Sequence, residues 1–256
     1  ASDTDSVYLR LGNLVRAAAQ GKSEEEIVRF LDKSCKEIIE PFIKKAYETL
    51  AAKMNAHANK MVMEREVIAD VGVWTAKKRY MLNVHNSEGV QYDEPKMKIM
   101  GIETTRSSTP MVVRQKLKDA IKLVLTGTED QVIDFIDDFK QEFKKYSPDE
   151  IAFPRGCNNL ITYQDETYIY RKSTPIAVKG ALIYNHFLKK MKLTDRYYAI
   201  NEGDKVKFLY LAVPNPFQNT VISFPGSSPK EFELKDYADY DKQFAVSFLE
   251  PLKNIL

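Results

Sequence analysis

The chain has 256 residues, 44% of them hydrophobic, with 38 Lys and Arg against 36 Asp and Glu and only 10 Gly and 11 Pro, which suits one or two globular domains and excludes disordered, collagen-like and small disulfide-stapled classes. Its net charge of +2 makes any affinity for a polyanion depend on where the cations lie, and the isolated Cys35 and Cys157 form no metal motif and fit a reducing, cytoplasmic setting. No uncharged apolar run approaches the roughly 18 residues that cross a bilayer, and the acidic start at residues 1–6 is unlike a signal peptide, so no membrane partner is expected.

In chain order, Val7–Leu11 reads as a short strand stopped by Gly12, preceded by Asp3 and Asp5 two apart on one face. The pattern Ser23-x-x-Glu26 is a capping box. It opens a long helix with apolar residues at Ile27, Phe30, Leu31, Ile38, Ile39, Phe42, Ile43, Ala46, Tyr47 and Leu50, which Pro41 should kink or split. Residues 61–100 change period. Val67–Ala69, Val71–Trp74 and Tyr80–Val84 read as short strands around turns at Asn86–Gly89 and Asp93–Pro95. Ser108-Thr109-Pro110 is a helix start for a segment over about 110–126, and a second helix follows Gly127 over about 129–146. Residues 147–175 read as irregular. A helix near 176–190, strands near 205–212 and 219–224, and a C-terminal helix complete the chain.

Three features carry chemistry. Asp3-Thr4-Asp5-Ser6 presents paired carboxylates of the kind that hold hard divalent cations such as magnesium. The same pattern also occurs as an exposed acidic turn or as a metal–nucleotide-sugar site. Lys77-Lys78-Arg79-Tyr80 sets three cations and an aromatic ring directly before an apolar strand, a combination suited to phosphate and sugar contacts or, equally, to a solvated face. A second basic stretch comprises Arg171, Lys172, Lys179, Lys189, Lys190 and Lys192 with no carboxylate among them, so the near-neutral total conceals a segregation of charge.

Together with Phe30-Leu31-Asp32-Lys33, Glu40-Pro41, Arg65-Glu66-x-Ile68, Tyr92-x-Glu94-Pro95-Lys96-x-Lys98-Ile99-Met100-Gly101-x-Glu103, Ser107–Pro110, Gly180-x-Leu182-x-Tyr184-Asn185, Glu202-Gly203-x-Lys205-Val206 and Asn215-Pro216-Phe217, these motifs resemble a family. It is the second half of the family B DNA polymerases, in the branch of the replicative enzymes of T-even-like bacteriophages. The resemblance runs along essentially the whole chain. It implies an α+β fold, with the later half of a palm domain over residues 1–101 and a mostly helical thumb over 102–256.

The resemblance also implies roles. Asp5 matches the palm carboxylate that holds both catalytic magnesium ions, Asp3 its neighbour, and Glu66 an acidic residue on an adjacent palm strand. Lys77, Lys78, Arg79 and Tyr80 match the motif that contacts the minor groove and backbone of the primer-template. Asn158, Asn159, Arg171 and Lys179 are candidate thumb contacts, with plain surface or turn positions as their alternative. Ala1-Ser2 stand where the family has an aromatic and then a small residue. The exonuclease domain, the fingers with their dNTP-binding lysine, the rest of the palm with its second metal aspartate, and the aromatic clamp-binding tail have no counterpart in this sequence.

The expectation is therefore an incomplete two-metal site in a naturally split or truncated DNA polymerase. Such a chain should be inactive alone, self-associating without its amino-terminal partner half, unable to bind a sliding clamp through its C-terminus, and located in the cytoplasm of the host if viral. A non-catalytic duplex-DNA-binding module is the alternative; a glycosyltransferase is a more distant one, since nothing downstream offers a sugar-nucleotide fold.

Overall fold

Antiparallel pairing and amphipathic helices account for the architecture, an α+β arrangement of small sheets beside helices. The computed structural model describes the backbone of residues 2–3, 6–101 and 107–255, and side chains from residue 6 onward within those ranges. The chain divides into two compact units, Ala1–Gly101 and Ile102–Leu256.

The first unit begins with β1 (Ser2–Asp3) and β2 (Ser6–Val7), paired antiparallel with Asp3 opposite Ser6. The strand expected over Val7–Leu11 is thus shorter and earlier: after Val7 the chain leaves the ladder, and Tyr8 packs its ring on aromatic neighbours instead. Helix α1 (Gly12–Ala18) precedes α2 (Glu24–Ser34), whose capping box is formed as expected: the Glu26 amide donates to Ser23 Oγ at 3.3 Å and the Ser23 amide to Glu26 Oε2 at 2.9 Å. A π-helical turn, Cys35–Ile39, then leads into α3 (Glu40–Lys53). Pro41 explains that turn. A proline has no amide to offer the preceding turn and its ring crowds the carbonyl four residues back, so the helix widens by one residue just ahead of it.

Strands β3 (Val67–Ala76), β4 (Arg79–Ser87) and β5 (Val90–Met100) form an antiparallel sheet in that order. The two segments expected at Val67–Ala69 and Val71–Trp74 are one strand whose register shifts on either side of Ala69 and again after Trp74. The turn expected at Asp93–Pro95 is absent. Val84 pairs with Lys96 while Asn86 pairs with Gln91, so the intervening residues bulge out of an edge strand, the place where a proline does not break a ladder. Central β4 is buried from Met81 through Asn86. Of its polar members, Asn83 Nδ2 donates to Asp70 Oδ1 at 2.9 Å and Asn86 Nδ2 to Gln91 Oε1 at 3.3 Å, whereas His85 Nε2, 3.3 Å from the same Asp70 oxygen, makes no hydrogen bond. Val28, Leu31 and Ile68, with Leu11, Val15, Ile27 and Phe30 against them, join α2 to β3.

The second unit has the larger core. Helices α4 (Met111–Thr126) and α5 (Glu129–Phe143) lie where expected, although Pro110 is the residue before the first turn of α4 rather than within it. The stretch expected to be irregular holds α6 (Pro148–Ile151), β6 (Phe153–Gly156), α7 (Leu160–Tyr163), β7 (Gln164–Asp165) and β8 (Ile169–Tyr170). Helix α8 (Ile176–Lys190) is followed by β9 (Lys205–Tyr210) and β10 (Val221–Phe224), and the sheet order is β10-β9-β6. Gly180 lets α8 approach β10 closely: a Cβ there would stand 2.4 Å from Ser223 Oγ.

Short helices α9 (Leu234–Tyr237) and α10 (Tyr240–Phe244), a π turn at Ala245–Leu249 and α11 (Glu250–Lys253) end the fold. Pro251 follows this second π turn as Pro41 follows the first. Phe244 and Phe248 pack on Phe139 and Phe143 of α5, with ring centroids 4.8 Å apart for Phe139 and Phe248. Cys35 and Cys157 are both buried and unbridged. No helix among the described residues is long and apolar enough to cross a membrane.

Candidate nucleic-acid interface

The basic motif occupies a hairpin tip. Ala76 pairs with Arg79, and Trp74 with Tyr80, so Lys77 and Lys78 alone form the connection and both are exposed. Lys78 has φ +61°, the left-handed region that closes a two-residue loop and that favours Gly or Asn. Gly101, at the end of β5, fits against this turn at φ +68°, and a Cβ on it would lie 2.2 Å from the Lys78 carbonyl oxygen. Behind the tip, Tyr8, Trp74 and Tyr80 form an aromatic trio, Tyr8 meeting Trp74 edge-on at 5.0 Å and Tyr80 at 5.6 Å. Trp74 is 42% exposed. Cations at the tip with ring surface behind them make a shape that can contact phosphates and pack on sugars.

Among the acidic candidates, Asp5 lies outside the described residues, and of Asp3 only the backbone, in β1, is described. Glu66 is exposed immediately ahead of β3 and forms an ion pair with Lys98 of β5. Its carbonyl accepts from the Glu88 amide at 2.7 Å, tying the strand entry to the next hairpin. Arg65 beside it binds Asp32 of α2 through its guanidinium, while its amide donates to Glu40 Oε1 at 3.0 Å. Burial pushes the Asp32 carboxyl up, but hydrogen bonds from Lys36 and Arg65 outweigh it and hold the group below the usual aspartate range. No group of three or more His, Cys, Asp or Glu residues placed to hold a metal occurs among the described residues.

In the second unit, the basic stretch that is continuous in sequence is not one patch. Arg171 and Lys172 precede α8, and Lys179 rests over the Tyr170 ring at 4.8 Å. Lys189 and Lys190 sit in its last turn, with Lys192 beyond it. From Lys179 to Lys189 the helix rises about 15 Å, which separates the two groups. Asn159, at φ +63°, precedes α7, and its amide and that of Leu160 donate to Glu202 at 2.5 and 2.7 Å. Asn158 beside it is exposed. Glu202, which caps this helix start, enters the sequence reading only within the motif Glu202-Gly203-x-Lys205-Val206, with no role attached to it.

Two curated relatives match. The DNA-directed DNA polymerase of Enterobacteria phage T4 is 32% identical over 266 aligned residues, covering 98% of this chain. That of Escherichia phage RB69 is 33% identical over 265, again covering 98% of this chain. No protein-family model matches. Nearly the whole chain is thus similar to a portion of the DNA-directed DNA polymerases of these two bacteriophages. The chain spans about 29% of the length of each relative.

Proposed function

We propose that this chain contributes the metal-binding aspartates and a duplex-gripping surface to template-directed nucleotidyl transfer, as the palm and thumb portion of a DNA polymerase acting in the host cytoplasm. The observation that carries the reading is the Lys77-Lys78 hairpin tip backed by Tyr8, Trp74 and Tyr80, in a chain similar over 98% of its length to two phage polymerases. Lys77 and Lys78 contact phosphates, which position a duplex without reading its sequence, and Tyr80 with Arg79 lines the groove side. Arg171, Lys179, Asn158 and Asn159 are the duplex contacts proposed for the second unit. Among them Lys179 is propped on Tyr170, while Asn159 is set by its turn.

Carboxylate oxygens have the right chemistry for magnesium. Asp5 and Asp3 would hold the ions. Glu66, engaged by Lys98, would join them only by giving up that pair, and the cage is completed by carboxylates from the rest of the polymerase. Bound magnesium supplies activation of the primer 3′-hydroxyl and neutralisation of the leaving pyrophosphate. The chain's own part is to fix the ions through Asp5 and to hold the primer-template in register through the hairpin, with dNTP selection falling to the rest of the enzyme.

The test is primer extension by this chain alone and with the rest of the polymerase supplied. Extension is expected only in the second case. There, Asp5→Ala should lower the rate by several orders of magnitude with duplex binding nearly intact, and Asp3→Ala should cost less. Extension by the chain alone, or a near-normal rate for Asp5→Ala, would overturn the reading; the latter result would favour the non-catalytic duplex-binding module.

A further inference from the structure

Helix α3 and the π turn before it are apolar on more of their surface than their own unit covers. Ile39, Ile43, Tyr47 and Ala51, four apart, form a half-buried row. Beside it runs a second row, also four apart: Ile38, Phe42, Ala46, Leu50 and Met54. Ile38 is 67% exposed, Phe42 73%, Leu50 48% and Met54 72%, and Ala46 is exposed too. No residue of α3 is fully buried. An isolated helix of this length is marginal in water and takes its stability from packing an apolar face. A contiguous exposed row of large apolar side chains marks a surface that something covers.

We infer that this row is the docking surface for the portion of the polymerase that lies outside this chain. The inference rests on the reading of the chain as part of a polymerase. The greater part of the relatives' length lies outside the matched region, so a large partner surface belongs to the same enzyme. The neighbouring row, also four apart, holds Glu37, Pro41, Lys45, Thr49 and Lys53, all exposed, so its positive charge lies toward the C-terminal end of the helix. The covering surface is therefore apolar at its centre and carries a carboxylate opposite the Lys45–Lys53 end of that edge. Phe42, in the middle of the first two turns and the largest of the row, is the anchor.

The test co-expresses this chain with a polypeptide comprising the part of the Enterobacteria phage T4 polymerase outside the matched region, and compares the unmodified chain with Phe42→Ser/Leu50→Ser. Because both positions are exposed, the variant should keep the melting curve and duplex binding of the isolated chain while its affinity for the partner falls at least tenfold. A photo-crosslinking phenylalanine analogue at position 42 should attach to the partner. Equal binding by the variant and no crosslink would overturn the surface alone; failure of the unmodified chain to bind would count against the polymerase reading itself. Sedimentation of the isolated chain covers the remaining occupant: if the substitutions abolish a self-dimer and leave the complex unchanged, the row pairs with a second copy and the inference is wrong.

Discussion

Lys78 occupies a backbone conformation that glycine or asparagine adopts at less cost, on the order of 1 kcal/mol, and its neighbour Lys77 shares the two-residue tip. A hairpin that accepts this penalty presents two cations at its farthest point. If they meet phosphates, Lys77→Ala/Lys78→Ala should flatten the dependence of log K on log salt for duplex binding by about 1–2. An unchanged slope would refute the phosphate contacts. Gly101 is the residue that lets the tip close, because a Cβ there would meet the Lys78 carbonyl oxygen at 2.2 Å. Gly101→Ala should therefore weaken duplex binding without removing any charge, and an affinity equal to that of the unmodified chain would show that the tip tolerates the shift.

Asp32 gives a second prediction at this scale. Its folded pKa is depressed, so the stability it contributes is fully present above the ordinary value of 3.8 and is lost as the pH falls from there through the depressed one. Urea titrations of Asp32→Asn should show a smaller loss of stability across that acidic window than the unmodified chain, and parallel curves would exclude the contribution.

Among the elements, α8 lies close against β10. Ser223 Oγ donates to the Ala177 carbonyl at 2.8 Å, and a Cβ at Gly180 would stand 2.6 Å from the Ser223 amide nitrogen. Gly180→Ala should cost about 1–3 kcal/mol, read as a lower melting temperature, because the obstruction includes backbone and cannot rotate away. An unchanged melting temperature would mean the helix slides freely. This contact shows how far sequence reading reaches. Helices α4, α5 and α8 are legible because caps, prolines and apolar spacing are local signals. Strand β6 is not, since it exists only by pairing with β9 some fifty residues on, and β5 conceals itself behind Asp93–Pro95, a turn signature that an edge bulge also satisfies. The site divides the same way. Lys77–Tyr80 is contiguous and readable as a unit, whereas the Glu202 cap on Asn159 joins distant segments and the Arg171–Lys192 stretch looks like one patch only until a helix is laid along it.

At the scale of the whole chain, the two units differ in how much apolar material they bury. The second gathers Val113, Leu117, Phe139, Phe143, Leu182, Tyr184, Leu209, Phe224, Phe244 and Phe248, among others, into a single cluster. The first joins α2 to β3 through a smaller one, around Val28, Leu31 and Ile68. A segment comprising residues 107–256 should accordingly fold alone, with a cooperative melt and native near-ultraviolet dichroism. A broad, non-cooperative melt would show that it borrows stability from the rest of the chain.

Each unit also contains one cysteine. Burial raises the Cys35 thiol, and it pushes that of Cys157 up to about 11, with Glu202 and Asp204 adding to the rise. Only the thiolate attacks an alkylating reagent, so in the native state both sulfurs are shielded and almost wholly protonated. They become reactive when the surrounding structure opens. The unmodified protein thus carries a built-in clock for each half: alkylation of the Cys35 peptide times the opening of the first unit, alkylation of the Cys157 peptide that of the second, and a mass spectrum reads both from one sample without an introduced probe.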